Sequence, residues 1–111
     1  MAFEIVLGPE AVLALKKLAV PVRTGATEAL EQHLTHEPRK VSKSRIKRLR
    51  GLSQPQYRLR VGDIRVFYDV TETQVQILAI ITKAEAQKWL EERGTPVEES
   101  DEGGTGGEDQ G

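Results

Sequence analysis

The stretch Tyr57-Arg58-Leu59-Arg60-Val61-Gly62-Asp63-Ile64-Arg65-Val66-Phe67-Tyr68-Asp69-Val70 decides the fold. Two alternating runs flank Gly62-Asp63, a pair of the type that closes a two-residue β-hairpin loop. With those residues as the loop, Val61 faces Ile64, Arg60 faces Arg65, Leu59 faces Val66, Arg58 faces Phe67 and Tyr57 faces Tyr68. Successive side chains of a strand point to opposite sides, so Tyr57, Leu59, Val61, Ile64, Val66 and Tyr68 make one apolar face. The other face carries Arg58, Arg60, Arg65 and Phe67.

The segments around the hairpin supply layers to cover that apolar face. Phe3 to Leu7 reads as a short strand that ends at Gly8-Pro9. Pro9 opens a helix because its missing N–H is not needed there, and Glu10 suits the positive end of the helix dipole. Val12, Leu15 and Leu18/Ala19 recur at helical spacing until Val20-Pro21 breaks the run. A second helix from about Pro21 to His36 has Val22, Ala26, Ala29/Leu30 and His33/Leu34 as its stripe and stops at Glu37-Pro38. After the hairpin, Thr71-Glu72-Thr73 turns the chain into Val75 to Ile81, apolar almost throughout, as in a strand covered on both sides or central in a sheet. Lys83 to Arg93 reads as a last helix that packs through Ala86, Trp89 and Leu90 and ends at Gly94. The expected fold class is therefore α+β, with a small, mostly antiparallel sheet, two N-terminal helices on one face and a short C-terminal helix.

At 111 residues the chain has room for one core. It has no cysteine, which excludes disulfides, Cys-type zinc sites, iron–sulfur clusters and thiol catalysis. The formal net charge of -1 averages two unlike parts. Glu98, Glu99, Asp101, Glu102, Glu108 and Asp109 crowd the last residues, leaving 16 bases against 11 acids before them. A domain over residues 1–96 and a disordered, acidic, glycine-rich tail over 97–111 are expected, the partner of the domain being an anion. The start, Met-Ala-Phe-Glu-Ile, has an acid where a secretion signal wants bases, and no run reaches the roughly 20 apolar residues that span a bilayer. A cytoplasmic, non-membrane location is the expectation.

Ten of the sixteen Lys and Arg fall between Arg39 and Arg65. From Arg39 to Arg50 there are seven bases and no acid, which marks Lys43, Arg45, Lys47, Arg48 and Arg50 as candidate RNA-binding residues. Arg60 opposite Arg65 places like charges face to face, an arrangement that weakens pairing unless an anion such as phosphate lies over it. Phe67 on the same face is a candidate for stacking on an unpaired base, or for cover by the last helix or a partner. His33 and His36, at a helix C-terminus that favours partly charged imidazole, are read as dipole partners, and no metal or cofactor is expected.

The order of strand, two helices, basic stretch ending in Lys47-Arg48-Leu49-Arg50-Gly51-Leu52, and the hairpin resembles the RelE/ParE superfamily of type II toxin–antitoxin toxins over about residues 3–93. The resemblance implies a toxin held inactive by a cognate antitoxin protein that wraps its sheet and helices. In the RelE branch it implies entry into the ribosome and cleavage of bound mRNA without metal. Arg58, Arg60 and Arg65 match the hairpin positions that orient phosphate and stabilise transition-state charge there. Such members usually carry an arginine and then a tyrosine or another proton-transfer group after the last strand. Here Ile81-Thr82-Lys83-Ala84-Glu85-Ala86-Gln87-Lys88-Trp89-Leu90 offers Lys83 as a substitute cation and Glu85 as a base, with no tyrosine or histidine. Arginine stays protonated and is a poor proton shuttle, so RNA binding is better supported than cleavage. The ParE branch implies instead a DNA gyrase inhibitor, and a third alternative is a catalytically degenerate antitoxin-binding module.

Overall fold

A computed structural model describes residues 2–97. The acidic tail lies outside the described residues except for Val97. Ten elements follow in chain order: β1 (Glu4–Leu7), α1 (Pro9–Lys17), α2 (Val20–Leu34), β2 (Ile46–Arg48), β3 (Leu52–Gln54), β4 (Tyr57–Val61), β5 (Ile64–Val70), β6 (Gln74–Thr82), α3 (Lys83–Arg93) and β7 (Thr95–Pro96). Five strands make one sheet in the order β1-β6-β5-β4-β2, and β3 pairs with β7 in a separate two-stranded ribbon. Only β1 runs parallel to its neighbour, β6; the other pairs of the main sheet are antiparallel, and α1 and α2 carry the chain from β1 at one edge to β2 at the other. Among the described residues no helix is long and apolar enough to cross a membrane.

The hairpin has the register read from its turn, with Val61 opposite Ile64, Arg60 opposite Arg65 and so on to Tyr57 opposite Tyr68. Gly62 adopts φ 58°, a left-handed conformation that the tight loop demands and that side chains resist. The apolar face of the hairpin packs with Val75, Ile77 and Ile80 of β6 beneath Ala11 of α1 and Leu30 and Leu34 of α2. Burying each of the larger aliphatic side chains contributes about 1.5–3 kcal/mol, which makes this layer the main source of stability. Tyr57 and Tyr68 stack at 5.5 Å, and the Tyr68 hydroxyl donates to the Pro38 carbonyl at 2.8 Å. That bond ties the chain leaving α2 to the core.

Small residues set how closely α1 approaches the sheet. Ala11 is fully buried, whereas Val12, expected in the stripe, is only half-buried and Leu13 is exposed. At Gly8, whose N–H donates to the Ile77 carbonyl at 2.9 Å, a Cβ would stand 3.2 Å from that oxygen. The strand covered on both faces is β5, every residue of which is buried, while β6 alternates over most of its length. Cover for the second face of β5 comes from α3 and from the loop around Pro55.

Candidate cationic face

The basic stretch is not a plain loop. Ile46–Arg48 forms β2 and pairs antiparallel with β4, Ile46 opposite Leu59, Lys47 opposite Arg58 and Arg48 opposite Tyr57. A three-residue strand with a single apolar residue leaves no period-2 signal long enough to read. Its register nevertheless divides the basic residues, because directly opposed residues share a face. Lys47 stands with Arg58 on the outer face. Arg48 stands on the helix side, where its guanidinium lies 5.1 Å from the Tyr57 ring centre and donates to the Gln56 carbonyl at 2.9 Å.

Arg45 lies beyond the hairpin-turn end of β2, where its carbonyl accepts from the Arg60 N–H at 2.8 Å. Arg50 sits in the turn with Gly51 at the opposite end, and Lys43 in the loop before β2; both are exposed but belong to neither strand. The face that the strands assemble thus has Lys47, Arg58 and Arg60 across β2 and β4. Arg45 flanks it, and Lys83 is held near by its backbone N–H, which donates to the Asp63 carbonyl at 2.8 Å.

Arg65 belongs to this face by register but is not displayed on it. Its guanidinium turns back to donate to the carbonyls of Gly62 at 2.9 Å and Ile64 at 3.1 Å, and the residue is 8% exposed. The repulsion expected between Arg60 and Arg65 is therefore relieved within the protein, and no bound anion is needed to account for it. Arg58 is half-buried and its Nε has no hydrogen-bond partner. Burial first, and then the charges of Arg65 and Arg60, lower its guanidinium below the usual pKa. A bound anion would offset the two charge effects.

The expectation for Phe67 is corrected. Phe67 is not open to a nucleobase: it is fully buried beneath Trp89 of α3, ring centres 5.2 Å apart and planes 3° from parallel. The last helix supplies its cover. Glu85 lines a groove against α1 with Leu13, Lys17 and Ile64, and no hairpin arginine lines that groove. Lys83 is exposed at the start of α3.

Among the described residues, the ion pairs are Glu37 with Lys40, Lys88 with Glu92 and Glu10 with Arg93. Arg45, Lys47, Arg58, Arg60 and Arg65 take part in none of them. Asp69, which shares the outer face of β5, is engaged instead by the Gln54 side-chain amide at 2.6 Å and the Gln56 N–H at 2.8 Å. That carboxylate holds the covering loop, a role with no signal in the residue order. No group of three or more His, Cys, Asp or Glu among the described residues is arranged to hold a metal ion.

A family model described as the ParE toxin of the type II toxin–antitoxin system, parDE, matches residues 5–87. The chain belongs to the ParE toxin family. Its fold is similar to that of the archaeal RelE–RelB complex from Pyrococcus horikoshii OT3, at 27% identity and a TM-score of 0.58, covering 75% of this chain and 97% of that one. The toxin–antitoxin complex RelBE2 from Mycobacterium tuberculosis, 24% identical, shares the fold at a TM-score of 0.58 over 74% of this chain and 99% of that one. The YoeB dimer from Staphylococcus aureus shares it at 16% identity and a TM-score of 0.52, over 71% and 94% of the two chains. Among curated proteins none matches this ParE-family sequence.

Proposed function

We propose that this ParE-family toxin arrests growth by engaging RNA, with ribosome-bound mRNA as its target, through the outer face of β2 and β4. The observation that carries this reading is the row of Lys47, Arg58 and Arg60, none of them ion-paired among the described residues. An array of cations without carboxylates suits a polyanion, whose affinity comes mainly from phosphate contacts and counterion release. The face binds and orients; Arg58 and Arg60 are also placed to stabilise extra negative charge on a phosphate. Cleavage further requires a proton-transfer group. Glu85 lines the groove against α1, Tyr57 and Tyr68 lie on the helix side, and Arg65 is committed to the turn, so the reading extends to binding and not to cleavage.

A cognate antitoxin is the second partner in this reading. The similar structures from Pyrococcus horikoshii and Mycobacterium tuberculosis are toxin–antitoxin complexes, which supports one here. A segment with acidic residues would neutralise the unpaired cations and exclude RNA. Hydrogen exchange of the complex tests this, with protection of β2 and β4 expected and protection confined to α1 contradicting it.

The ParE-family match and the lack of a proton shuttle favour a second reading, inhibition of DNA gyrase. Induced expression of the full chain in a bacterium lacking the antitoxin separates the two. Growth arrest with loss or stalling of translated mRNA is the expected result. Arrest with intact, translated mRNA and broken DNA would establish the gyrase reading, and normal growth despite folded protein would leave an antitoxin-binding module.

A further inference from the structure

Arg45 borders two cavities at once. One, of about 210 Å³, lies at the hairpin turn and is lined by Ser44, Arg45, Arg60 and Gly62. The other, of about 300 Å³, is lined by His33, His36, Glu37, Lys40, Ser42 and Arg45 together with Gln32 and Ile46. They meet at the chain entering β2, an outer strand of the main sheet whose far edge pairs with no strand among the described residues. The position of Arg45 is set by its backbone: the N–H donates to the Ser42 hydroxyl at 3.0 Å and the carbonyl accepts from Arg60. Its exposed side chain is left to serve either cavity.

The charges around the second cavity are mostly of one sign. His33 is faced by His36, Lys40 and Arg45 and by one carboxylate, Glu37. Glu37 pairs with Lys40 at 3.6 Å, but both side chains are strongly exposed, so the pair is weak and open to competition. Burial first, and then Arg45, hold the His33 imidazole below its usual pKa, so the Arg45 charge is felt inside this cavity.

We propose that single-stranded RNA on the outer face continues around the β2 edge, with one phosphate beside Arg60 and Arg45 and a following one in the pocket of His33, His36 and Lys40. The inference rests on the RNA reading given above and adds a second stretch to its path. An anion in the pocket stabilises the imidazolium form, so this stretch binds more tightly as histidine becomes charged. The outer face is built of lysine and arginine and carries no histidine.

Nuclear magnetic resonance of the full chain with a single-stranded oligouridylate tests the path, with the Gly62 amide reporting the face and the His33 ring reporting the pocket. Saturation with RNA is expected to shift the Gly62 amide and raise the His33 pKa. Affinity is expected to increase as pH falls into and below the usual histidine range, because His33 is held below its ordinary pKa until an anion binds beside it. In R45A the His33 pKa of the free protein rises towards its usual value and its response to RNA is lost. The salt slope of binding then falls by about 0.7, the contribution of one single-strand phosphate. A Gly62 shift with His33 unmoved would overturn the edge path and leave the outer-face reading standing. A His33 response with Gly62 unmoved would overturn the continuous path, and silence at both would overturn the two readings together.

Discussion

Arg60 and Arg65 stand opposite each other across β4 and β5, yet Arg60 is exposed while Arg65 is folded back onto the carbonyls of Gly62 and Ile64. Two residues of one type in one cross-strand pair thus do different work. Arg65 secures the turn, and Arg60 is free for a ligand. R65A is expected to lower stability by about 2 kcal/mol, the scale of charge-assisted hydrogen bonds lost from a buried position. R60A removes a like charge from the pair and is expected to change stability by less than about 0.5 kcal/mol. Urea unfolding of the two variants checks the difference.

The stack of Phe67 on Trp89 fastens α3, a helix with no buried residue, to the outer face of β5. W89A is expected to cost about 2–3 kcal/mol, less than a fully buried aromatic because Trp89 is only half-buried. Amide exchange should locate the loss: faster exchange along α3 and beside Phe67, with α1 and α2 unchanged.

Asp69 uses both carboxylate oxygens as acceptors, one from the Gln54 side chain and one from the Gln56 backbone. Asparagine offers only one acceptor oxygen and turns a donor towards the other partner. D69N should therefore destabilise by about 1–3 kcal/mol. Faster exchange of the Gln56 amide is the local signature that ties the loss to this loop.

Burial, and then the neighbouring Tyr57, raise the Tyr68 phenol above its usual pKa. The folded value lies above the unfolded one, so the associated stability is whole below about pH 10 and is lost as pH rises through the folded value. Stability of the native chain should decline above about pH 10. Y68F, which also loses the bond to Pro38, should be less stable by about 1 kcal/mol at neutral pH and show a shallower alkaline decline. Chemical unfolding at a series of alkaline pH values measures both effects.

The hairpin was legible because a Gly-Asp loop fixes its register, and alternation then fixes which residues share a face. The helices were legible through Pro9, Pro21 and Pro38, which punctuate the chain. Strand β2 was not, since Ile46-Lys47-Arg48 becomes a strand only through its pairing with Leu59, Arg58 and Tyr57. Tertiary contacts also decided the site. Alternation put Phe67 and Arg65 on the outer side, but Trp89 came to lie over one and the turn carbonyls took up the other. Glu85, three residues past β6 in the first turn of α3, lines the groove against α1. Lys47 was named from charge density, Arg58 and Arg60 from the hairpin alternation and the family resemblance, and it is the β2–β4 register that places Lys47 beside Arg58.

In the proposed complex Lys47 and Arg60 take phosphates of RNA on the outer face of β2 and β4. The measurement that tests this most directly is the salt dependence of single-stranded RNA binding by the native chain and by the K47A, R60A double variant. Weaker binding by the variant is expected, with a salt slope reduced by about 1.4, two single-strand phosphates at about 0.7 each, and the fold intact by circular dichroism. Equal affinity and an unchanged slope in a folded double variant would contradict it.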